Sequence, residues 1–170
     1  IAHNADQPNS RWYSGAGIYR PVTLWTAPAR HILPDGVQAR TLSIDPAEVE
    51  VTVQTTASGA VAVAILDGEQ TVATAQAESN GKAVLRVQIP NAKLWSPDSP
   101  ALYRCRAMFG DDCAETTFGV RTLSWGDDGF LLNGKRVILL GACVHHDHGV
   151  LGACCYPEAE KRKVRLLQKV

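Results

Sequence analysis

No long apolar run crosses this 170-residue sequence. The longest, Val137 to Leu140 continuing into Gly141 and Ala142, falls far short of the roughly 20 residues that a membrane-spanning helix needs, so no membrane partner is expected. An excess of charge is lacking too. Seventeen basic residues balance seventeen acidic ones, leaving no field of one sign to capture nucleic acid or an anionic surface. The opening IAHNADQPNS has neither the basic start, the apolar centre nor the cleavage site of a secretory signal. A chain that begins at Ile1 reads as a processed or excised piece, and its compartment stays open. Five cysteines, an odd number, do not form a regular disulfide framework and are expected as free thiols.

What is present is strand grammar. From Val37 to about Val120 the segments VQARTLSI, EVEVTVQT, AVAVAIL, TVATAQA, KAVLRVQI, ALYRCRAMF and CAETTFGV succeed one another at spacings near a dozen residues. Val49, Val51 and Val53 alternate with Glu50 and Thr52, and Val61, Val63 and Ile65 alternate with alanines. That is the period of two of a half-buried strand. Ser58-Gly59, Asp67-Gly68, Asn80-Gly81 and Gly110 to Asp112 supply turn chemistry between them. Seven such strands predict a mainly β fold, an immunoglobulin-like antiparallel β-sandwich. Tyr103, Cys105, Ala107 and Phe109 share one strand face, which places Cys105 in the core. Cys113 lies with Glu115 and Thr117 on the opposite face from Phe118, and is expected exposed. A Cys105–Cys113 bridge would require a bulge in that hairpin.

After Arg121 the pattern changes. GFLLNGKRVILLGACV sets Asn133-Gly134 between two apolar runs, the strongest short-range signal for a two-residue hairpin. Its second run, Val137 to Val144, is continuously apolar, as in a parallel strand covered on both faces. YPEAEKRKVRLLQKV then reads as a helix opening, with Pro157 in the first turn, Glu158 and Glu160 early, basic residues later, and a stripe of Val164, Leu167 and Val170. One strand, loop and helix cannot bury their own faces. Residues 125–170 are therefore expected to fold back on the sandwich, pair with another copy or be loosely held. The first 25 residues are likewise too few for a domain and read as the close of an earlier one. Trp95, between Leu94 and the prolines at 97 and 100, reads as structural.

Three ordered stretches resemble glycoside hydrolase family 2, which includes β-galactosidases and β-glucuronidases. NSRWYSGAGIYRPVTL (9–24) is similar to the end of the family's jelly-roll sugar-binding domain. LWSPDSPALYRC (94–105) with TTFGVRTL (116–123) is similar to the close of its immunoglobulin-like domain. GFLLNGKRVILLGACVHHDHGVLGA (129–153) is similar to the hairpin and first strand of its TIM barrel. The resemblance implies three parts: residues 1–25 as a jelly-roll remnant, 26–122 as the sandwich, and 123–170 as the truncated start of the barrel. It further implies a retaining glycosidase of β-galactoside or β-glucuronide type, working through an acid/base glutamate and a nucleophilic glutamate. In the family both lie further along the barrel. The seven glutamates here (48, 50, 69, 78, 115, 158 and 160) have no family Asn-Glu context, so no catalytic residue is expected in this chain, and alone it should be inactive.

In such a barrel the residues just past each strand form the active-site face. By the resemblance, His145 and Asp147 would bind substrate in the parent enzyme, with His146 as a further candidate; an imidazole that donates or accepts suits a polyol. The bland alternative is that these groups satisfy loop backbone and one another, and His146 and His148 are expected in solvent or behind the substrate-facing row. Cys143, three histidines, Cys154 and Cys155 also invite a zinc reading. Structural zinc recruits spaced ligand pairs, whereas adjacent side chains on an extended segment diverge, so neither metal nor cofactor is expected. Trp12, Tyr13 and Tyr19 suit either sugar stacking or domain-edge packing. The implied partners are the carbohydrate substrate, the rest of the catalytic barrel and, in a homo-oligomer, further copies. A reading from another class is a stand-alone immunoglobulin-like carbohydrate-binding or adhesion module, which leaves the barrel-type strand and helix unexplained.

Overall fold

One face of a single long strand, apolar but for Thr55 and Gly59 between Val49 and Ile65, sets the architecture. The computed structural model describes residues 18, 22–145, 148–152, 154 and 156–169. They belong to two compact units, Thr26–Leu139 and a second drawn from both chain ends, Ile1–Trp25 with Leu140–Val170. The first contains β1 (Ile32–Ile44), β2 (Ala47–Asp67), β3 (Gln70–Gln88), β4 (Tyr103–Phe109) and β5 (Asp112–Phe118). Every ladder among them is antiparallel, in the order β1-β2-β4-β5 with β3 on β2. The first half of β2 lies between β1 and the end of β3; its second half lies between the start of β3 and β4. The curled sheet thus makes the two layers of an immunoglobulin-like sandwich, as the strand pattern predicts.

Seven strands are expected and five continuous ones form, because two of the four turn signals do not turn the chain. Ser58 and Gly59 face Asn80 and Ser79 across the β2–β3 ladder, and Ser58 Oγ donates to Asn80 Oδ1 at 2.8 Å. Between the pairs Gln54–Lys82 and Ser58–Asn80, β2 spends three residues where β3 spends one. This two-residue excess bends both strands and keeps their parity, whereas a one-residue excess would turn half of each strand's apolar set outward. Val49, Val51, Val53, Val61, Val63 and Ile65 therefore all reach one core, with Leu85, Val87, Tyr103, Cys105 and Phe109. Burying each large apolar side chain contributes about 1.5–3 kcal/mol. Asp67-Gly68 and Gly110-Asp111 are true hairpin turns, their glycines at φ 61° and 59°.

The bend is strapped from outside. The Arg30 guanidinium donates to the Ser58 carbonyl at 2.9 Å and lies 5.4 Å from the centre of the Phe109 ring. Thr56 N–H donates to the His31 carbonyl at 2.9 Å. Ile32 N–H donates to Asp112 Oδ2 at 2.7 Å, tying β1 to β5 across the sandwich. At the start of β4, Tyr103 Oη accepts from Lys93 N–H at 2.8 Å and its ring stacks on Phe118 at 5.9 Å. A tyrosine at this strand start, bonded to upstream backbone, is a hallmark of immunoglobulin-type sandwiches. Periodicity gave no hint of it.

The exit from the sheet is built around Trp95. Its N–H donates to the Val120 carbonyl at 2.9 Å, and the Arg121 guanidinium lies 4.3 Å from the centre of its ring. A Cβ on Gly119 would stand 2.7 Å from Trp95 Cβ and Cγ, so only glycine admits the indole there. Trp95 is structural, as its proline-rich setting suggests. Beyond it, β6 (Leu123–Gly126), β7 (Gly129–Leu132) and β8 (Lys135–Arg136) form a three-stranded antiparallel sheet. Asn133 and Gly134 take φ of 51° and 75°, the pair of left-handed residues that a tight hairpin requires. The expected strand over Val137–Val144 differs: among the described residues no strand is assigned there, and Ile138 and Leu140 are 76% and 91% exposed. A parallel barrel strand exists only through neighbours on both edges, and sequence pattern alone cannot provide them.

In the second unit a 3-10 turn (Gly149–Leu151) precedes helix α1 (Pro157–Leu167). Pro157 occupies the first turn, Glu158 and Glu160 face the positive end of the helix dipole, and Arg165 sits in the last turn. Val164 and Leu167 of the expected stripe are exposed; Val170 lies outside the described residues.

Cys105 faces Thr116 across the β4–β5 ladder, while Cys113 faces Met108. Both thiols are free, the first buried and the second exposed, so the register holds them apart. Burial pushes the Cys105 thiol up to about 11. Alkylation of the native protein at pH 8, read by peptide mass spectrometry, should label Cys113, Cys143 and Cys154 and spare Cys105. Besides being shielded, a thiol so displaced carries on the order of 100-fold less thiolate at that pH than an ordinary cysteine. Labelling of Cys105 at the rate of Cys113 would contradict this placement. Gly119→Ala should lower the urea midpoint, costing about 1–3 kcal/mol by overpacking against Trp95.

Candidate functional site

The loop that follows the apolar run is held from behind by α1. Glu160 and Lys163 are three residues apart and so share one helix face; with Ala159 they are partly buried. Lys163 Nζ donates to the His145 carbonyl at 2.8 Å. Glu160 Oε1 lies 2.6 Å from His148 Nε2, and Glu160 Oε2 lies 3.6 Å from Lys163 Nζ. The His148 side chain is only 8% exposed, and a ring so nearly buried requires a polar partner. Its backbone is closed into a turn, with His148 N–H donating to the Gly152 carbonyl at 3.1 Å and Leu151 N–H to the His148 carbonyl at 3.3 Å. Gly149 and Gly152, at φ 62° and 57°, supply the left-handed positions of that turn.

His145 thus sits on a backbone anchored by Lys163, in an exposed position. Asp147 and His146, the other two substrate-binding candidates, lie outside the described residues, as do Trp12, Tyr13 and Tyr19. His148, expected in solvent or behind the substrate-facing row, is a nearly buried support of the loop. Glu160 and Lys163 were not expected as its anchors. Their only trace in the sequence is an acid and a base one helical turn apart, which ordinarily marks a solvated helix face.

Chemistry by double displacement needs two carboxyl groups about 5 Å apart, one of them held protonated. Among the described glutamates, Glu69 pairs with Arg104, Glu115 with Arg106 and Arg104, Glu158 with Lys161, and Glu160 with His148. The hydrogen bond from Arg106 holds the Glu115 carboxyl below its ordinary range, the reverse of what an acid catalyst requires. Among the described residues no three His, Cys, Asp or Glu side chains are grouped to hold a metal ion, and Cys143 and Cys154 are free and exposed.

Glu160→Ala should therefore loosen the loop and spare the sheet. The His148 and Gly152 amides are expected to exchange about tenfold faster, because a hydrogen bond to a charged group contributes about 1.5–3 kcal/mol. Glu158→Ala, which removes an exposed pair with Lys161 and one of two first-turn acidic residues, should change them much less. Equal effects from the two variants would remove Glu160 as the loop's anchor.

Residues 36–121, spanning β1 to the exit at Trp95 and Arg121, match the family described as Glycosyl hydrolases family 2. The chain is 33% identical over 188 residues to the beta-galactosidase BoGH2A of Bacteroides ovatus, covering 98% of this chain and 22% of that protein. It is 32% identical over 162 residues to a putative beta-glucuronidase of Formosa agariphila, covering 88% of this chain and 16% of the relative. A crystal structure of a glycosyl hydrolase family 2 member from Bacteroides cellulosilyticus superposes with a TM-score of 0.78 at 32% identity, over 94% of this chain and 25% of that one. The beta-glucuronidase of Ruminococcus gnavus in complex with D-glucuronic acid superposes with a TM-score of 0.72 at 25% identity, over 83% and 25%. The chain spans about a fifth of the length of the first of these relatives. With the sheet and its exit matched by the family model over half of the chain's length, this chain belongs to glycosyl hydrolase family 2.

Proposed function

We propose that the chain is the scaffolding section of a retaining glycosidase acting on β-galactosides or β-glucuronides. Residues 1–25 close a jelly-roll domain, 26–122 form the sandwich, and 123–170 open the catalytic barrel. The carrying observation is the family match centred on the sandwich, continued by the hairpin and by a loop braced on α1. In this reading His145 and Asp147, with His146, line the sugar subsite at the first barrel turn. His145 offers ring nitrogens to substrate hydroxyls, Asp147 accepts from them, and Lys163 and Glu160 hold the loop that carries both. The two catalytic glutamates come from later barrel strands. The partners are the carbohydrate, the remainder of the barrel and, in an oligomer, further copies of the protein.

The 170-residue chain should show no turnover of a chromogenic aryl galactoside or glucuronide above buffer. A chain extended through the coding sequence downstream of Val170 should turn over one of them and supply two barrel glutamates. Turnover by the short chain that survives repurification would refute the scaffolding role. Glycan binding by the short chain, with an inactive long one, would establish a binding module instead.

A further inference from the structure

The hairpin turn at Asn133 does more than reverse the chain. Its side chain accepts from Thr122 N–H through Oδ1 at 3.0 Å and donates from Nδ2 to the Trp95 carbonyl at 3.0 Å. Its own N–H donates to the Thr122 carbonyl at 2.9 Å. One residue therefore grips the chain on both sides of the sandwich exit. On one side is the loop 90–102, seated by the Trp95 N–H bond to the Val120 carbonyl, by the Leu94–Val120 bridge and by the indole against Gly119. On the other is Thr122, the last residue before β6.

A tight hairpin asks only for two residues that tolerate positive φ, and Gly-Gly would satisfy it. Neither side-chain bond is needed to make the turn. Each runs from the turn back to the sandwich at a partly buried junction. The hairpin is further closed by Val137 N–H on the Phe130 carbonyl at 2.9 Å, so its orientation is passed to the residues leaving it toward Leu139. The ladder Leu123–Leu132, Ser124–Leu131 and Trp125–Phe130 carries the same orientation along its length.

We propose that Asn133 is a positioning residue that locks the β6–β8 hairpin to the sandwich in one orientation. The sandwich, rather than a free linker, then sets the direction in which the chain leaves for the catalytic barrel. The lock itself stands apart from the glycosidase reading; only its use, aiming the barrel, rests on that reading.

The test is the orientation of the hairpin in the 170-residue protein, measured by residual dipolar couplings of backbone amides. In the native chain one alignment tensor should fit both the β1–β5 sheet and the β6–β8 hairpin. Asn133→Gly keeps the left-handed turn and loses both side-chain bonds. Its hairpin couplings should shrink and depart from the sheet tensor, while the sheet couplings and the Leu123–Leu132 pairing persist. Asn133→Asp keeps an acceptor for Thr122 N–H and loses the donor to Trp95. The Thr122 amide should exchange about tenfold faster in Asn133→Gly than in the native chain and stay close to native in Asn133→Asp. Hairpin couplings in Asn133→Gly that still fit the sheet tensor would overturn the proposal. So would loss of the hairpin's own pairing in both variants, since Asn133 would then fold the hairpin rather than aim it. Inactivity of a longer chain would count against the glycosidase reading and leave these couplings untouched.

Discussion

Everything in the sandwich depends on β2 presenting one face from Val49 to Ile65, apolar except at Thr55 and Gly59, without a parity slip. The strand is too long to lie flat against a single partner layer, so it curls around its own buried face and enters both layers. A two-residue excess at 55–57 makes the bend possible. Arg30, Thr56 and the paired Ser58 and Asn80 hold it from outside. β3 follows β2 through the same bend, and β1, β4 and β5 find their places as neighbours of its two halves.

A second constraint governs how the chain departs. The loop 90–102 returns Trp95 to the end of the sheet, where Gly119 makes room for the indole and Arg121 covers it. The hairpin then grips this cluster through Asn133. A polar side chain with two fixed partners resists rotation at such an exit better than a run of flexible linker does. Within the other unit, α1 applies the same device to the loop after the apolar run, anchoring it at a carbonyl through Lys163 and at an imidazole through Glu160.

How much of this was legible follows from the range of the physics involved. The alternation of Val49 to Val53 and of Val61 to Ile65, the asparagine-glycine hairpin and the proline-led helix are written in neighbouring residues, and each forms where it is expected. The seat of Cys105 in the core and of Cys113 outside it follows from parity alone. Ser58-Gly59 and Asn80-Gly81 carry the composition of turns yet form a bend, because they lie opposite each other across a ladder. His148, grouped by its neighbours with a metal-like cluster, is tied to a glutamate twelve residues away. The loop's candidate substrate residues were identified by family resemblance, since adjacent histidines and an aspartate carry no geometry of their own.

By itself the sequence determined the mainly β class, the core-facing sides of β2, β4 and β5, the hairpin at Asn133, the helix start at Pro157 and the family to which the order of motifs belongs. These are local or ordinal properties, set by periods of two, by backbone sterics and by the succession of elements. Only the tertiary structure decided that seven strand segments run as five, that Tyr103 and Trp95 stitch loops to strands, that Glu160 and Lys163 brace the loop of His145, and that Asn133 grips the sandwich exit. Each of those depends on groups distant in sequence being brought within about 3 Å, the range over which a hydrogen bond acts, and no one-dimensional pattern encodes that distance.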